Sequence, residues 1–308
     1  MSFKGDVLAG LNARPRAIPA RWFYDREGSK LFEAITRLPE YYPTRVETAI
    51  LERACEELGE AIRFGCAVVE FGSGSSTKTR ILLRCVRPAA YVPIDISGEF
   101  LREAALSVAT EFPAVAVIPC EADFMRPLAL PEEVTNLPRL GFFPGSTIGN
   151  LEPAGAVGLL RAMRGSLGEG ARLLIGMDRV KERDVLVRAY DDAGGVTAAF
   201  NLNLLARINR ELEGEMPLDA FRHRAVWNDG AGRIEMHLQA VRDVAFTVAG
   251  ERFAMTAGET IHTENSHKYT PESARLLLRA GGWEPVSEWT DGSFLVLLAE
   301  ARRPRSAP

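Results

Sequence analysis

The sequence predicts an α/β protein with a mostly parallel sheet and a smaller α+β unit, on three observations. Short apolar runs alternate with helical stretches between residues 67 and 178. That rhythm stops near Val180 and returns only after about residue 268. The chain then ends in two strand-like runs around Asp291-Gly292. Parallel neighbours need a crossover between them, usually a helix, so strand–helix alternation implies a sheet covered on both faces.

Along the chain, Pro15 and Pro19 interrupt the mixed N-terminal segment, residues 29–33 read as a short capped helix, and 38–43 as a turn restricted by two prolines. A long helix is expected at 46–63. Strands follow at 67–71, 91–95, 115–119, 140–144 and 172–178, with helices at 77–86, 98–111 and 153–166. Residues 182–212 read as helices broken at Gly194-Gly195, and 220–264 as strands around the turn Asn228-Asp229-Gly230. A helix at 271–280 leads to a hairpin of 283–290 with 293–300. A parallel sheet ending in an antiparallel hairpin is the Rossmann-like architecture of class I methyltransferases. The α+β unit is thus expected as an insertion in this core. The tail 302–308 is expected to fray.

The 308 residues suffice for one large domain or two modest ones, and 46% hydrophobic content is ordinary for a globular chain. A net charge of −4 offers no general attraction to nucleic acid or anionic membrane. No run approaches membrane-spanning length and residues 1–19 lack a signal-like apolar stretch, so a cytoplasmic monomer acting on small molecules is expected. Cys55, Cys66, Cys85 and Cys120 show no C-x-x-C spacing and read as reduced core thiols; the four histidines show no metal-ligand spacing. No metal is expected.

The segment Glu70-Phe71-Gly72-Ser73-Gly74 joins a strand to a helix. Glycines there permit a sharp turn and close approach of a ligand to the main chain. Three binding loops compete. A dinucleotide fingerprint needs glycine at 77, where Thr77 stands; a phosphate loop fits at Gly72, Lys78 and Thr79 but fails at the same position. The acidic-x-Gly-x-Gly loop of methyltransferases fits directly. Asp95 ends the next strand roughly 20 residues on, where a carboxylate can accept from ribose hydroxyls. Asp123-Phe124 suits adenine, with a carboxylate for its amine and a ring for its face. Together these favour S-adenosylmethionine over an ordinary strand–helix turn. A nucleotide-binding regulator with a degenerate phosphate loop is the competing class.

Longer strings resemble one family, the histidine N-alpha-methyltransferases of ergothioneine biosynthesis. They include Arg21-Trp22-Phe23-Tyr24-Asp25, Leu38-Pro39-Glu40-Tyr41-Tyr42-Pro43-Thr44-Arg45, Gly145-Ser146-Thr147-Ile148-Gly149-Asn150, Arg188-Ala189-Tyr190-Asp191-Asp192-Ala193, Arg233-Ile234-Glu235-Met236 and Glu264-Asn265-Ser266. The resemblance runs from about Arg21 through the terminal hairpin, and implies two domains: a cofactor-binding core of 48–181 and 268–308, and a substrate-binding domain of 1–47 and 182–267. It implies three methyl transfers to the α-amino nitrogen of L-histidine, by way of its mono- and dimethyl forms, giving hercynine. It also implies that Gly72, Lys78, Asp95, Asp123 and Phe124 hold S-adenosylmethionine, and that Tyr41, Asn150, Tyr190, Glu264 and Ser266 hold the substrate. Asn265, between the last two, stands where relatives carry an apolar residue, leaving its backbone as the contributor.

The residue types suit that chemistry, with alternatives. Asn150 can donate to a substrate carboxylate, or cap the next helix. Tyr190 can donate likewise, or pack on a helix surface. Glu264 and Ser266 lie two apart and share a side of an extended strand, where a carboxylate and a hydroxyl can bind both imidazole nitrogens; a solvated edge strand explains them equally. Met236 lines that pocket or is core. Tyr24, Phe32 and Tyr41 form an aromatic wall for a quaternary ammonium, or N-terminal packing. No catalytic nucleophile or strong general base is evident. Within the fold, the alternative substrate is another aromatic amino acid such as tryptophan.

Overall fold

The computed structural model describes residues 2–62, 64–73, 77–96 and 98–302, without the side chains of Glu99 and Phe100. Gly74, which closes the predicted cofactor loop, and 303–308 of the expected frayed tail lie outside the described residues. Two compact units emerge: Met1–Tyr42 with Lys181–Lys268, and Pro43–Val180 with Tyr269–Pro308. The first boundary falls before the expected 47/48, because the helix predicted from residue 46 already begins at Tyr42. Pro43 sits in its first turn, where the missing N–H costs nothing. That helix also breaks at Ala54, giving Tyr42–Arg53 and Cys55–Ala61.

The larger unit holds the parallel sheet. Edge to edge its strands are Trp283–Thr290, Phe294–Ala301, Arg172–Asp178, Arg139–Phe143, Ala67–Phe71, Ala90–Asp95 and Ala116–Val117. Only Phe294–Ala301 runs against the others. The strand expected at 115–119 is shorter and divided. Cys120–Glu121 pairs separately onto the end of Ala90–Asp95, and Pro119 between the two pieces has no N–H to offer a ladder.

Ala67–Phe71 is buried along its whole length, as expected of a strand covered on both sides. Ala67, Val69 and Phe71 pack on one face with Leu160 and Trp283. Val68 enters the opposite core with Leu82, Phe142 and Phe294. This period of two also buries Glu70, whose carboxylate must find partners. It accepts from Thr79 Oγ1 at 2.9 Å and from the Tyr91 hydroxyl. Glu70 therefore ties its strand to the following helix, Thr77–Val86, and to the neighbouring strand. Strand order reverses at Ala67–Phe71, so the crevice for a ligand lies at the carboxyl ends of this strand and Arg139–Phe143.

The four cysteines are not all free. Cys55 and Cys85 form a disulfide with Cα atoms 5.1 Å apart, while Cys66 and Cys120 are thiols. The expectation of reduced thiols fails because 30 residues of separation conceal a packing contact: Cys55 opens one helix and Cys85 lies near the end of Thr77–Val86.

The smaller unit has the sheet order Arg16–Ala17, Thr260–His267, Arg233–Ala240, Phe221–Asn228, with a separate hairpin of Val244–Val248 and Glu251–Met255. Helices Phe3–Asn12, Arg26–Ile35, Arg183–Tyr190 and Val196–Glu211 belong to the same unit. Burial alternates strictly along Arg233–Ala240: Ile234, Met236, Leu238 and Ala240 are buried, and the residues between them are half-buried. Neither Phe3–Asn12 nor the two-residue strand Arg16–Ala17 was apparent from sequence patterning.

One irregularity in Thr260–His267 has consequences for the site. His262 pairs with His237, yet Glu264 pairs with Met236, so Thr263 is an extra residue. Its hydroxyl donates to Met236 O at 3.0 Å. In an unbroken strand His262 and Glu264 would share a face. The bulge separates them and sends Glu264 and Ser266 to the buried face with Met236 and Ile234.

The disulfide predicts two measurements. Thiol titration of the unfolded, unreduced chain should find two thiols and not four. Reduction should lower the unfolding free energy by about 3 to 4 kcal/mol, the loop-closure value for such a span; an unchanged denaturation midpoint would contradict it.

Candidate active site

In the larger unit the predicted cofactor residues gather at the carboxyl end of the sheet. Gly72 follows Ala67–Phe71 with φ +78°, a conformation glycine adopts without strain, and its amide donates to Ile94 O at 2.9 Å. The Phe124 ring lies over it: a Cβ at Gly72 would stand 3.5 Å from that ring. Phe124 is held edge-on between Phe71 and Phe143, each with ring centroids 6.2 Å away. Asp95 ends its strand, and Asp123 is exposed, accepting from Met125 N at 3.0 Å to fix the turn. A positive-φ glycine, a terminal carboxylate and a braced ring fit a nucleoside-bearing cofactor. Burial pushes Glu70 up to about 7, against the hydrogen bonds of Tyr91 and Thr79, so this loop acid serves the fold beneath the site.

Lys78 is buried and its ammonium lies 2.7 Å from Glu47. Glu47 also accepts from Gly145 N at 2.8 Å. This buried carboxylate was not singled out from the sequence. The approach is so close to the sheet that a Cβ at Gly176 would stand 1.9 Å from Glu47 Oε1. Lys78 thus anchors the helix after the glycine loop to the turn after the fourth strand.

That turn presents Asn150. Gly145 and Ser146 both have positive φ, and the Ser146 hydroxyl accepts from Asp178 N at 2.9 Å. A short 3-10 turn, Thr147–Asn150, follows. Asn150 does not cap the next helix: Glu152 occupies that position before Pro153–Leu167. Among the described residues, none hydrogen-bonds to the half-buried Asn150 side chain.

In the smaller unit the predicted substrate residues meet around one hydroxyl pair. Tyr190 closes helix Arg183–Tyr190 and is buried, not on the helix surface. Its hydroxyl lies 2.7 Å from Ser266 Oγ. Its backbone carbonyl is 2.8 Å from His223 Nε2, whose other nitrogen is 2.8 Å from Asn201 Nδ2. Burial holds His223 below its ordinary pKa, and a neutral ring suits such a strut. Glu264 and Ser266 are both buried, so the solvated-edge alternative fails. Burial raises Glu264 to about 7, opposed by the charge of Lys268. Among the described residues, no donor hydrogen-bonds to its carboxylate. Asn265 pairs with Glu235 and alternates to the opposite face, leaving only its backbone on the pocket side.

The aromatic residues form a continuous run. Tyr24 meets Phe32 at 5.6 Å, Phe32 meets Tyr41 at 6.3 Å and Tyr41 meets Tyr190 at 6.0 Å, each edge to face. Met236 and Tyr41 belong to the unit's buried core, which Phe32 borders. Phe200 backs Tyr24 and Phe32 at 5.9 and 6.0 Å. Phe200 lies in Val196-Thr197-Ala198-Ala199-Phe200-Asn201, another string shared with the family, but neither it nor His223 nor Lys268 was singled out for the site, since each acquires meaning only from its neighbours.

Comparison with known proteins identifies the family. A family model described as histidine-specific, S-adenosylmethionine-dependent methyltransferase matches residues 3–302. The histidine N-alpha-methyltransferase of Mycolicibacterium smegmatis is 43% identical, the match covering 97% of this chain and 94% of that protein. Ergothioneine biosynthesis protein 1 of Neurospora crassa is 32% identical over 94% of this chain, which spans 34% of that longer protein. Among solved structures, the CcbJ methyltransferase of Streptomyces caelestis superposes with a TM-score of 0.50 at 14% identity, covering 91% of this chain and all of the other, a likeness of fold. On these matches, the chain belongs to the histidine-specific, S-adenosylmethionine-dependent methyltransferases.

Proposed function

We propose that the protein transfers three methyl groups from S-adenosylmethionine to the α-amino nitrogen of L-histidine, forming hercynine in ergothioneine biosynthesis, in the cytoplasm. The observation that carries the substrate is the bulge at Thr263, which buries Glu264 and Ser266 on one face beside Met236. A buried carboxyl with no protein donor rejects an apolar side chain, because it would stay unpaired. An imidazole offers a partner to Glu264 and a lone pair to Ser266.

The cofactor supplies an electrophilic methyl group on a sulfonium. The protein's task is to orient an unprotonated amine and keep water away, and orientation provides much of the acceleration. Asn150 donates to the substrate carboxylate in this reading, Tyr190 orients Ser266, and Glu264 accepts from an imidazole N–H. Each transfer to the primary or secondary amine leaves a proton that must depart before the next. The third leaves a permanent cation, which the rings of Tyr24, Phe32 and Tyr41 favour through cation–π attraction. Gly72, Asp95, Asp123 and Phe124 hold the nucleoside in this reading, with Lys78 acting through Glu47.

A panel of the twenty amino acids with S-adenosylmethionine, read as product mass in methyl units, tests the assignment. Histidine should gain three methyl groups; histidine inert while another amino acid reacts would overturn it. Glu264→Ala should weaken histidine binding by roughly 10- to 100-fold, the scale of a lost hydrogen bond to a charged group. Its affinity for S-adenosylhomocysteine should stay within about twofold, since that ligand makes no such bond. Equal losses for the two ligands in calorimetry would contradict the role.

Glu264 also predicts a pH dependence of stability. Its carboxyl stays protonated up to about 7 in the folded chain, against 4.5 ordinarily. Between those values the folded state holds the extra proton, so this contribution is full at low pH and is lost as pH rises. Glu264→Gln should therefore gain stability relative to the parent as pH goes from 5 to 8. A constant difference across that range would refute the buried, proton-holding carboxyl.

A further inference from the structure

Just past the strand that carries Glu264 and Ser266 lies a buried lysine that the assignments above leave unused. Lys268 Nζ stands 2.8 Å from Ser266 Oγ and 3.0 Å from the Tyr190 hydroxyl. With those oxygens 2.7 Å apart, the three groups form a closed triangle. An ammonium only donates, so both hydroxyl oxygens accept from it. With Tyr190 donating to Ser266, the Ser266 O–H is the one directed away from the triangle. The backbone keeps the geometry in place: Lys268 N donates to Gly232 O at 2.9 Å, and the ammonium lies 4.7 Å from the Tyr190 ring centre.

Charge makes this arrangement consequential. Below about 7 Glu264 holds a proton, and a cationic ligand could take that proton's place: an imidazolium, a guanidinium or an ammonium would leave a carboxylate beside it. The positive charge of Lys268 acts on the same carboxyl. It removes the preference for a cationic ligand and keeps the demand for hydrogen bonds. What fits is an uncharged ring with one N–H for Glu264 and one lone pair for the outward O–H.

We propose that Lys268 is a positioning and specificity residue: by orienting Ser266 and Tyr190 and countering Glu264, it makes the side-chain subsite select the neutral imidazole and refuse the imidazolium. This rests on histidine being the substrate. It separates the two charges of the substrate's life in the site, since the amine becomes a cation on the aromatic side while the ring remains uncharged. Other titratable groups stand behind Tyr190, on the far side of its carbonyl. They are His223, with Asp191 4.0 Å from its Nε2, and Asp192, which caps the helix Val196–Glu211 through Val196 N and Thr197 N.

The test compares histidine with 2-fluorohistidine, a near-isostere whose ring stays unprotonated over the range used, in the full-length protein with S-adenosylhomocysteine bound. The affinity ratio of the two ligands cancels any protonation of Glu264 or His223. With an imidazole pKa near 6.5, a site that takes only the neutral ring should shift this ratio about tenfold toward 2-fluorohistidine between pH 7.5 and 5.5. In Lys268→Met the shift should shrink below about threefold, while Lys268→Arg, which keeps charge and donors, should retain it. An unchanged circular dichroism spectrum together with unchanged S-adenosylhomocysteine binding shows that each variant is folded; where Lys268→Met fails either control, Lys268→Gln replaces it. Parent and Lys268→Met shifting equally would overturn the proposal, and so would a parent that binds histidine without any shift. A parent that binds no histidine at any pH would instead remove the substrate assignment, and the proposal with it.

Discussion

The site in the smaller unit depends on one constraint, that side chains alternate across a strand and cannot do otherwise without an extra residue. Thr263 is that residue. Before it the strand follows a register that sets His262 beside His237, on the half-buried face; after it Glu264 stands beside Met236 on the buried one. A carboxylate forced into a core face is costly unless something meets it. Lys268 answers with charge, and the neighbouring hydroxyls with polarity. The bulge is thus where backbone geometry becomes chemical preference. Were the ladder unbroken, with Thr263 itself paired to Met236, every later side chain of the strand would turn to the opposite face.

The two units handle buried acids differently. Glu47 is met directly by Lys78 and by the Gly145 amide, and Glu70 by Thr79 and Tyr91. Each of these carboxylates has its partners within the protein, and each fastens the glycine loop or the Asn150 turn to the sheet. Glu264 has an opposing charge nearby and no donor on its oxygens among the described residues. Satisfied acids hold a scaffold rigid. An acid left with an unmet acceptor is suited to receive something.

The sequence made the fold legible where patterns were long. The strand–helix rhythm from residue 67 to 178 and the terminal hairpin both stand as read, because buried strands are apolar throughout and hairpins announce their turns. Patterns failed where the deciding contact was distant. Nothing near Cys55 or Cys85 announces a bond across 30 residues. Arg16–Ala17 is too short to show periodicity, and its pairing partner begins at Thr260. In the site, Glu264 and Ser266 could be paired by spacing alone, yet their burial could not, since it follows from a bulge with no mark in the residue types. Lys268 was invisible for a similar reason: a lysine after a strand reads as solvated until Ser266 and Tyr190 are found around it.

The pairing of Arg16–Ala17 with Thr260–His267 also bears on synthesis. The two segments run parallel, and nearly the whole chain separates them. The larger unit is similarly deferred, because Phe294–Ala301 inserts between Trp283–Thr290 and Arg172–Asp178. Neither sheet can therefore be completed before Thr260–His267 and Phe294–Ala301 have been made. Residues 1–42 carry Phe3, Trp22 and Phe23, which find their core partners only in later segments of the smaller unit. Distant pairing of this kind slows folding and lengthens exposure of apolar surface. The apolar side chains of the N-terminal segment are thus the ones that wait longest for their partners.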